Sequence, residues 1–492
     1  MVKRVHRTLC RVPSALTLIL LVGAVQSLAW NIALPAFQGP DESSHFAYIQ
    51  YLAETGSLPS STGGTSPISS EVFAALTVLN LRATAGNPDS RPAWDSVDLD
   101  YLHGAERQQP KGSRANGPGP TQIAKNPPLY YAVMSIPYRL FVWLPLLQRL
   151  FVLRLFNALC YLACIALTWL LAGEAMGRVR WKQALAASVV ALEPQLAFMS
   201  AAINADNLLI ALTTGFLLAT IRLVQRGPSI GRVLACSGLS AAAILTHGRG
   251  LVTLPVLAVT LLSAWIKHRP ASRDALAQAG VAVATVGGGF TAYALFGRAS
   301  GQGGVYGGQV SGLNSGAFNV RQFLSSIYQF YFPRLRSMAP RIGPAYGYRQ
   351  VFIETFYATF GSLEVIFKSR VYDALQFLSA AGLVGFYTAC VLRVRSLLRH
   401  WPIVAVMLSL LLTNMLFLHY VSYRALLGDG GTDPLIVGRY LLPMVSLFGL
   451  AVAFTFGALP RRAGILLGSV VISIGVLLSL ASIALTTVRF YA

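Results

Sequence analysis

SALTLILLVGAVQSLAWNIALPAFQGPDESSHFAY, residues 14–48, passes within a few positions from a membrane-length apolar run to two acids and a histidine. Ser14 to Leu34 is nearly unbroken apolar chain, about the 20 residues a helix needs to cross a bilayer. Directly after it, Gly39-Pro40-Asp41-Glu42-Ser43-Ser44-His45 sets two carboxylates and an imidazole at the mouth of the span. Such a cluster points to chemistry at the lipid surface. For Asp41 alone, a plain helix cap accepting free backbone N–H groups is the alternative. If Glu42 begins a helix, Asp41 and His45 share one face of it.

The composition agrees with a membrane setting. Of 492 residues, 54% are hydrophobic and 12% charged, and the mean hydropathy is positive. Soluble domains run near about 25% charged, so a polytopic membrane protein is expected. The formal charge of +21 would suit a nucleic-acid binder, but Lys and Arg punctuate apolar spans instead of forming a basic domain. No nucleic-acid partner is expected; the charge reads as topology, with some attraction to membrane lipid phosphates. Cys10, Cys160, Cys164, Cys236 and Cys390 fall in the leader or in apolar spans, which leaves no disulfide framework for the loops. The basic leader Met1 to Pro13 precedes an apolar stretch too long for a signal-peptide core. It is expected to remain as an uncleaved first helix with its N-terminus inside.

A long polar loop, residues 35–128, follows the first span, with a short surface helix expected within Ser69–Ala85. Residues 129–147 are apolar but broken by Pro137 and Pro145 and interrupted by Arg139. A helix lying in the outer interface fits them better than a crossing. Further spans are expected at 153–176, 184–202, 207–224, 233–246, 251–266, 275–296, 373–392, 401–420, 440–459 and 464–485. This gives about eleven crossings, with the C-terminus outside. The basic turns at Arg178/Arg180/Lys182, Arg222/Arg226/Arg232, Lys267/Arg269/Arg273, Arg393/Arg395/Arg399 and Arg461/Arg462 then all lie on the cytoplasmic side. Three parts follow: residues 1–296 as an N-terminal membrane module, 297–372 as a second exterior loop, and 373–492 as C-terminal membrane helices. The glycine-rich run 297–316 lacks a phosphate-loop pattern and reads as a linker.

On this topology the acids Asp41, Glu42, Asp206, Glu354, Glu364, Asp429 and Asp433 gather on the exterior side. Asp206 sits in the turn Asn204-Ala205-Asp206-Asn207, where a simple turn or cap role competes with function. Lys125, Arg154, Arg249 and Arg439 stand near exterior span ends, as cations able to bind a lipid phosphate or to snorkel toward lipid headgroups. Arg249 follows His247 in Thr246-His247-Gly248-Arg249-Gly250. Glu193, before Pro194 inside a span, is expected to be neutral, paired with a buried Arg, or part of a polar cavity. A divalent ion (Mg or Mn) could bridge Asp41, His45 and Asp206, but the spacing carries little weight, and a zinc hydrolase or an ATP-driven pump finds no motif.

Four landmarks occur in order: Pro40-Asp41-Glu42 with His45; Lys125-Asn126-Pro127-Pro128-Leu129-Tyr130-Tyr131 with Arg154 beyond; Asn204-Ala205-Asp206-Asn207; and Gly438-Arg439-Tyr440-Leu441-Leu442-Pro443. Together with the spans, they resemble the GT-C superfamily of integral-membrane glycosyltransferases. The likeness is nearest to bacterial aminoarabinose and protein O-mannosyl transferases and to an uncharacterised bacterial polysaccharide-locus membrane family. The resemblance implies an all-α polytopic membrane fold, GT-C-like, in the bacterial inner membrane, with interfacial helices in its exterior loops. It also implies a polyprenyl-phosphate sugar donor and a glycan or glycolipid acceptor. Asp41 would be the general base, Glu42 its acidic neighbour, and Asp206 a second acid orienting the acceptor or a metal. His45, Lys125, Tyr130, Arg154, Asn204, His247, Arg249, Arg439 and Tyr440 would contact substrate. The chain lacks the soluble exterior domain of the mannosyltransferases, which argues against a protein acceptor. A flippase for a lipid-linked saccharide and a polysaccharide polymerase or ligase are the competing classes.

Overall fold

The computed structural model describes residues 13–60, 66–119, 121, 123–299, 318–339, 341, 347–428 and 436–492. The leader before Pro13, most of the glycine-rich run, Asp429 and Asp433 lie outside the described residues. Helix α1 (Ser14–Ala33) is the first apolar run, and its twenty residues reach about 30 Å. Its polarity is that of a membrane helix: Leu18, Leu21, Val25 and Ile32 are exposed, whereas Gln26, Ser27, Trp30 and Asn31 are buried against protein.

The first loop is a packed cap of helices. It holds α2 (Glu42–Thr55), α3 (Ser70–Val78) and α4 (Ser96–Arg107). Ser69 starts α3 by accepting the Val72 N–H at 3.2 Å, and Asp95 starts α4 by accepting the Asp98 N–H at 2.8 Å. The segment expected as a surface helix buries one face, where Val72, Ala75 and Leu79 pack with Phe46, Ile49 and Leu102, and exposes the other at Phe73. Helix α5 (Leu129–Leu140) has twelve residues, about 18 Å, too short to cross hydrocarbon. One face buries Tyr130, Tyr131, Met134 and Tyr138, and the other exposes Val133, Ile136 and Leu140. Arg139 escapes lipid by donating to the Ala53 carbonyl at 3.1 Å.

The crossings then alternate. Helix α6 runs Leu146–Met176 and so starts at Leu146, ahead of the expected Leu153. The early start has a cause in pairing: Arg149 meets Glu71 at 2.5 Å and Arg154 meets Glu42, so both arginines lie inside the helix as buried ion pairs. One crossing is split into α7 (Arg180–Ala191) and α8 (Pro194–Ser200). Pro194 opens α8, and the Glu193 carboxylate accepts the Leu196 N–H at 2.5 Å. Glu193 is thus a buried helix cap, and no arginine pairs with it among the described residues.

After the turn at 201–205 come α9 (Asp206–Arg226), α10 (Ile230–Thr246), α11 (Thr253–His268) and α12 (Ser272–Ala299). A single 3-10 stretch, Gly248–Val252, leads into α11. The second loop carries α13 (Val320–Tyr331) and an unanticipated hairpin, β1 (Thr359–Phe360) with β2 (Val365–Ile366) antiparallel. Helices α14 (Ser369–Leu392), α15 (Trp401–Gly428), α16 (Val445–Gly457) and α17 (Arg461–Tyr491) complete the chain, with a 3-10 stretch Gly438–Met444 leading into α16.

Among the described residues nine helices are long and apolar enough to cross a membrane. The broken α7–α8 pair and the shorter apolar α10 add the remaining two of the expected crossings. Alternation puts all five basic turns at the end of the bundle opposite Asp41. At the Asp41 end, Trp30 meets Phe198 edge-on at 5.3 Å and Phe360 at a tilt at 4.8 Å between ring centres, which locks α1, α8 and the hairpin together. The protein is an all-α polytopic membrane protein, apart from that hairpin.

Candidate functional site

The loop after α1 is pressed onto the turn before α9. A Cβ on Gly39 would lie 2.5 Å from the Ala202 Cβ, so only glycine permits this approach. Asn204 donates to the Pro40 carbonyl at 3.2 Å and accepts the Asp206 N–H at 2.9 Å. The Ile203 N–H donates to Glu42 Oε1 at 3.0 Å. These contacts put Asp41 and Asp206 in one neighbourhood at the mouth of the bundle.

Three acid–arginine pairs stand there. Glu42 takes the Arg154 fork, from Nε at 2.7 Å and from Nη2 at 2.6 Å. Arg154 also donates to the Leu34 and Pro35 carbonyls, each at 2.9 Å. Asp206 pairs with Arg249, and Asp41 with Arg439 at 3.4 Å. Tyr440 links the last two pairs: its ring lies 4.4 Å from the Arg249 guanidinium carbon and 5.5 Å from that of Arg439. Among the described residues, Arg249 Nη1 and Arg439 Nε are buried without a hydrogen-bond partner.

Asp41 precedes α2 in a left-handed backbone conformation, φ 55° and ψ 17°, and its side chain makes no capping hydrogen bond. The cap alternative therefore has no support at Asp41. A non-glycine residue held there carries about 1–2 kcal/mol of strain, the kind found where a side chain must be aimed. Asp206, likewise, is not its own cap; Asn204 serves that end of α9 and leaves the Asp206 carboxylate to Arg249.

His45 is buried one turn into α2, and its Nδ1 meets the Tyr131 hydroxyl at 2.9 Å. Asn126 donates to the same hydroxyl at 3.0 Å, so all three groups are satisfied when Tyr131 donates to His45 and the ring proton sits on Nε2. Burial lowers the His45 pKa to about 4, against Asp41 and Asp206, which raise it. His247 is pushed down to about 3 by burial and then by Arg249, with Asp206 opposing. Both imidazoles are neutral at physiological pH. His247 Nδ1 accepts the Arg249 N–H at 3.1 Å, so it sets the turn from which Arg249 projects.

Not every expected residue arrives at the site. Tyr130 is buried between α5, α6 and the turn before α9, with its hydroxyl on Asn157 at 3.1 Å and the Asn204 backbone beside it. Its neighbour Tyr131, which was not singled out, is the residue against His45. Lys125 is half-buried and makes no ion pair among the described residues, while its carbonyl accepts the Tyr293 hydroxyl at 3.3 Å. Glu42 and Arg154 have spent their polar atoms on each other and on backbone, which leaves them poorly placed to meet substrate. No group of three or more His, Cys, Asp and Glu side chains suited to a metal ion occurs among the described residues. Asp206 faces Arg249, Asp41 faces Arg439 and His45 Nδ1 meets Tyr131.

The sequence family described as "Predicted membrane protein (DUF2142)" matches residues 25–448. The chain belongs to the DUF2142 family. Among solved structures, this DUF2142 chain is similar to ArnT from Cupriavidus metallidurans bound to undecaprenyl phosphate, at 14% identity and a TM-score of 0.46. That match covers 91% of this chain and 61% of the other, so the chain spans about three-fifths of ArnT. It is also similar to the Archaeoglobus fulgidus oligosaccharyltransferase in the apo form, at 14% identity and a TM-score of 0.45, covering 96% of this chain and 55% of that one. No curated protein matches the sequence.

Proposed function

We propose that this DUF2142 protein is a membrane glycosyltransferase that moves a sugar from a polyprenyl-phosphate donor to a hydroxyl of a lipid-linked or cell-envelope glycan. The reading rests on one observation: Asp41 is aimed by a strained backbone toward Arg439 and is free of any capping role. Beside it, the buried Arg249 and Arg439 each keep one unpaired donor among the described residues. That is what displacement of a lipid phosphate requires, a base for the acceptor and cations for the departing anion.

In this reaction the acceptor oxygen forms a bond to the anomeric carbon while the bond from that carbon to the phosphate oxygen breaks. The electron pair leaves with the lipid phosphate, held by Arg249 and Arg439. The acceptor proton passes to Asp41. Asp206 holds Arg249 in place, and His45 is neutral and fixed by Tyr131. Glu42 and Arg154 act on the loop that carries Asp41. The basic turns at the other end of the bundle support an exterior position for this end, in a bacterial inner membrane as the resemblance implies.

The test is transfer of label from a panel of polyprenyl-phosphate sugars by purified protein in liposomes, with Asp41→Asn beside it. Asp41 is half exposed and caps nothing, so the variant is expected to fold and to lose about 10²–10⁴-fold in rate. Undiminished turnover would remove Asp41 as the base. Translocation without bond change points to a flippase, and growth of a chain on a lipid diphosphate points to a polymerase.

A further inference from the structure

The three acid–arginine pairs are unequal. Glu42 and Arg154 share two short hydrogen bonds in a sealed environment, and the rest of the Arg154 fork binds backbone carbonyls. Asp41 and Arg439 share one contact at 3.4 Å, well beyond the roughly 2.7–2.9 Å of a good charge-assisted bond. Asp41 is 55% exposed, whereas Arg439 is 14% exposed. Among the described residues, the carboxylate in contact with this shielded cation is a loose one, and the Tyr440 side chain lies beside it.

The two orphan donors sharpen the point. Arg439 Nε and Arg249 Nη1 are buried without acceptors among the described residues, and both guanidinium groups lie on the Tyr440 ring. Leaving a buried donor unsatisfied is costly, because its lost hydration is not repaid. One tetrahedral anion with several acceptor oxygens, set between the arginines, answers both. The same anion meets the Arg439 group that Asp41 now holds. Among the described residues the Asp41 carboxylate makes no capping bond to the N–H groups of α2, and its one ion pair is with Arg439.

We propose that Asp41 and the donor phosphate compete for Arg439, so that the carboxylate is tied in the empty protein and freed to act as base when phosphate takes its place. The idea rests on the glycosyltransferase reading above and adds an order to it, donor first and deprotonation second. The exchange moves no proton and breaks no covalent bond; one anion replaces another on the same guanidinium. An acceptor that arrives before the donor meets a carboxylate engaged elsewhere.

The experiment measures binding of undecaprenyl phosphate, with uncharged undecaprenol as control, to the full chain in nanodiscs. Four proteins are compared: wild type, Asp41→Asn, Arg439→Gln and the double variant. Removing the competitor is expected to tighten undecaprenyl phosphate binding about twofold to fivefold, the range of a partly exposed ion pair. That gain is expected to vanish when Arg439→Gln is also present. Should Arg439→Gln not fold, Arg439→Lys replaces it, and the gain must shrink with loss of the fork. Equal or weaker binding by Asp41→Asn overturns the proposal, as does a gain that survives without Arg439, which is mere relief of repulsion. If wild type binds undecaprenyl phosphate no better than undecaprenol, the donor assignment itself falls, and the competition with it.

Discussion

Glu42→Gln separates scaffold from chemistry at the acidic pair. The Glu42 carboxylate accepts from Arg154 Nε at 2.7 Å, Arg154 Nη2 at 2.6 Å, Ile203 N at 3.0 Å and Gly39 N at 3.4 Å. Glutamine keeps one acceptor oxygen and turns an NH2 group toward one of these donors. Arg154 is then left without a counter-charge while 3% exposed, and its bonds to Leu34 and Pro35 keep it from swinging out to water. Removing one member of a buried ion pair costs about 3–5 kcal/mol, at the severe end for a point substitution. The assay is equilibrium unfolding in mixed micelles of rising SDS fraction, run on Glu42→Gln, Arg154→Met and the pair together. The double variant is expected to lose less than the sum of the singles, by about 1–3 kcal/mol. A Glu42→Gln protein with wild-type stability and abolished transfer would refute the reasoning and return Glu42 to the chemistry. Strict additivity would refute the pairing.

Two further outcomes follow from the same geometry. Gly39→Ala drives a Cβ against Ala202 and is expected to cost about 1–3 kcal/mol in stability, with a transfer rate that falls further than the unfolded fraction explains; full activity would show that the approach does not aim Asp41. His45 takes its proton near pH 4 when folded and near 6.5 when unfolded, so its contribution is complete above about pH 6.5 and is lost as pH falls toward 4. Its loss amounts to something on the order of 3 kcal/mol. Unfolding midpoints between pH 7.5 and 4.5 should therefore fall less steeply in His45→Gln than in wild type, and parallel slopes would contradict the buried neutral imidazole.

The first helix, the basic turns and the interfacial helix were legible because each depends on short-range pattern. Twenty apolar residues, paired arginines between spans, and two prolines with an arginine in residues 129–147 are local signals. The shared neighbourhood of Asp41 and Asp206 followed from alternation, since both close spans on the same side. The division of labour between Asp41 and Glu42 was not legible. They are adjacent acids, and only the left-handed turn at Asp41 sends one outward while the helical register of α2 sends the other toward Arg154. Tyr130 and Tyr131 differ for the same reason, since consecutive helical residues point about 100° apart and the register of α5 depends on what it packs against. Arg149 fell outside the expected span, which began at 153, because its partner Glu71 lies in a loop far back in the chain. The role of Glu193 had a signal that was available: an acid directly before a proline is the pattern of a helix start.

One interaction type serves three purposes in this site, and burial sets which. Glu42 and Arg154 are 0% and 3% exposed, Asp206 and Arg249 are 5% and 8%, and Asp41 and Arg439 are 55% and 14%. Low local dielectric strengthens a charge pair and makes its separation costly, so the first pair cannot exchange partners and can only fix geometry. The second pair is nearly as dry, yet its arginine keeps one unsatisfied nitrogen, so it can take a ligand without giving up its acid. In the third pair, water reaches the carboxylate but hardly the guanidinium, and a competing anion meets little resistance there. If chemistry required all three acids, substitution at each should damage turnover alike. The gradient instead requires that Glu42→Gln act on stability, Asp206→Asn weaken phosphate affinity, and Asp41→Asn lower the rate while tightening phosphate binding.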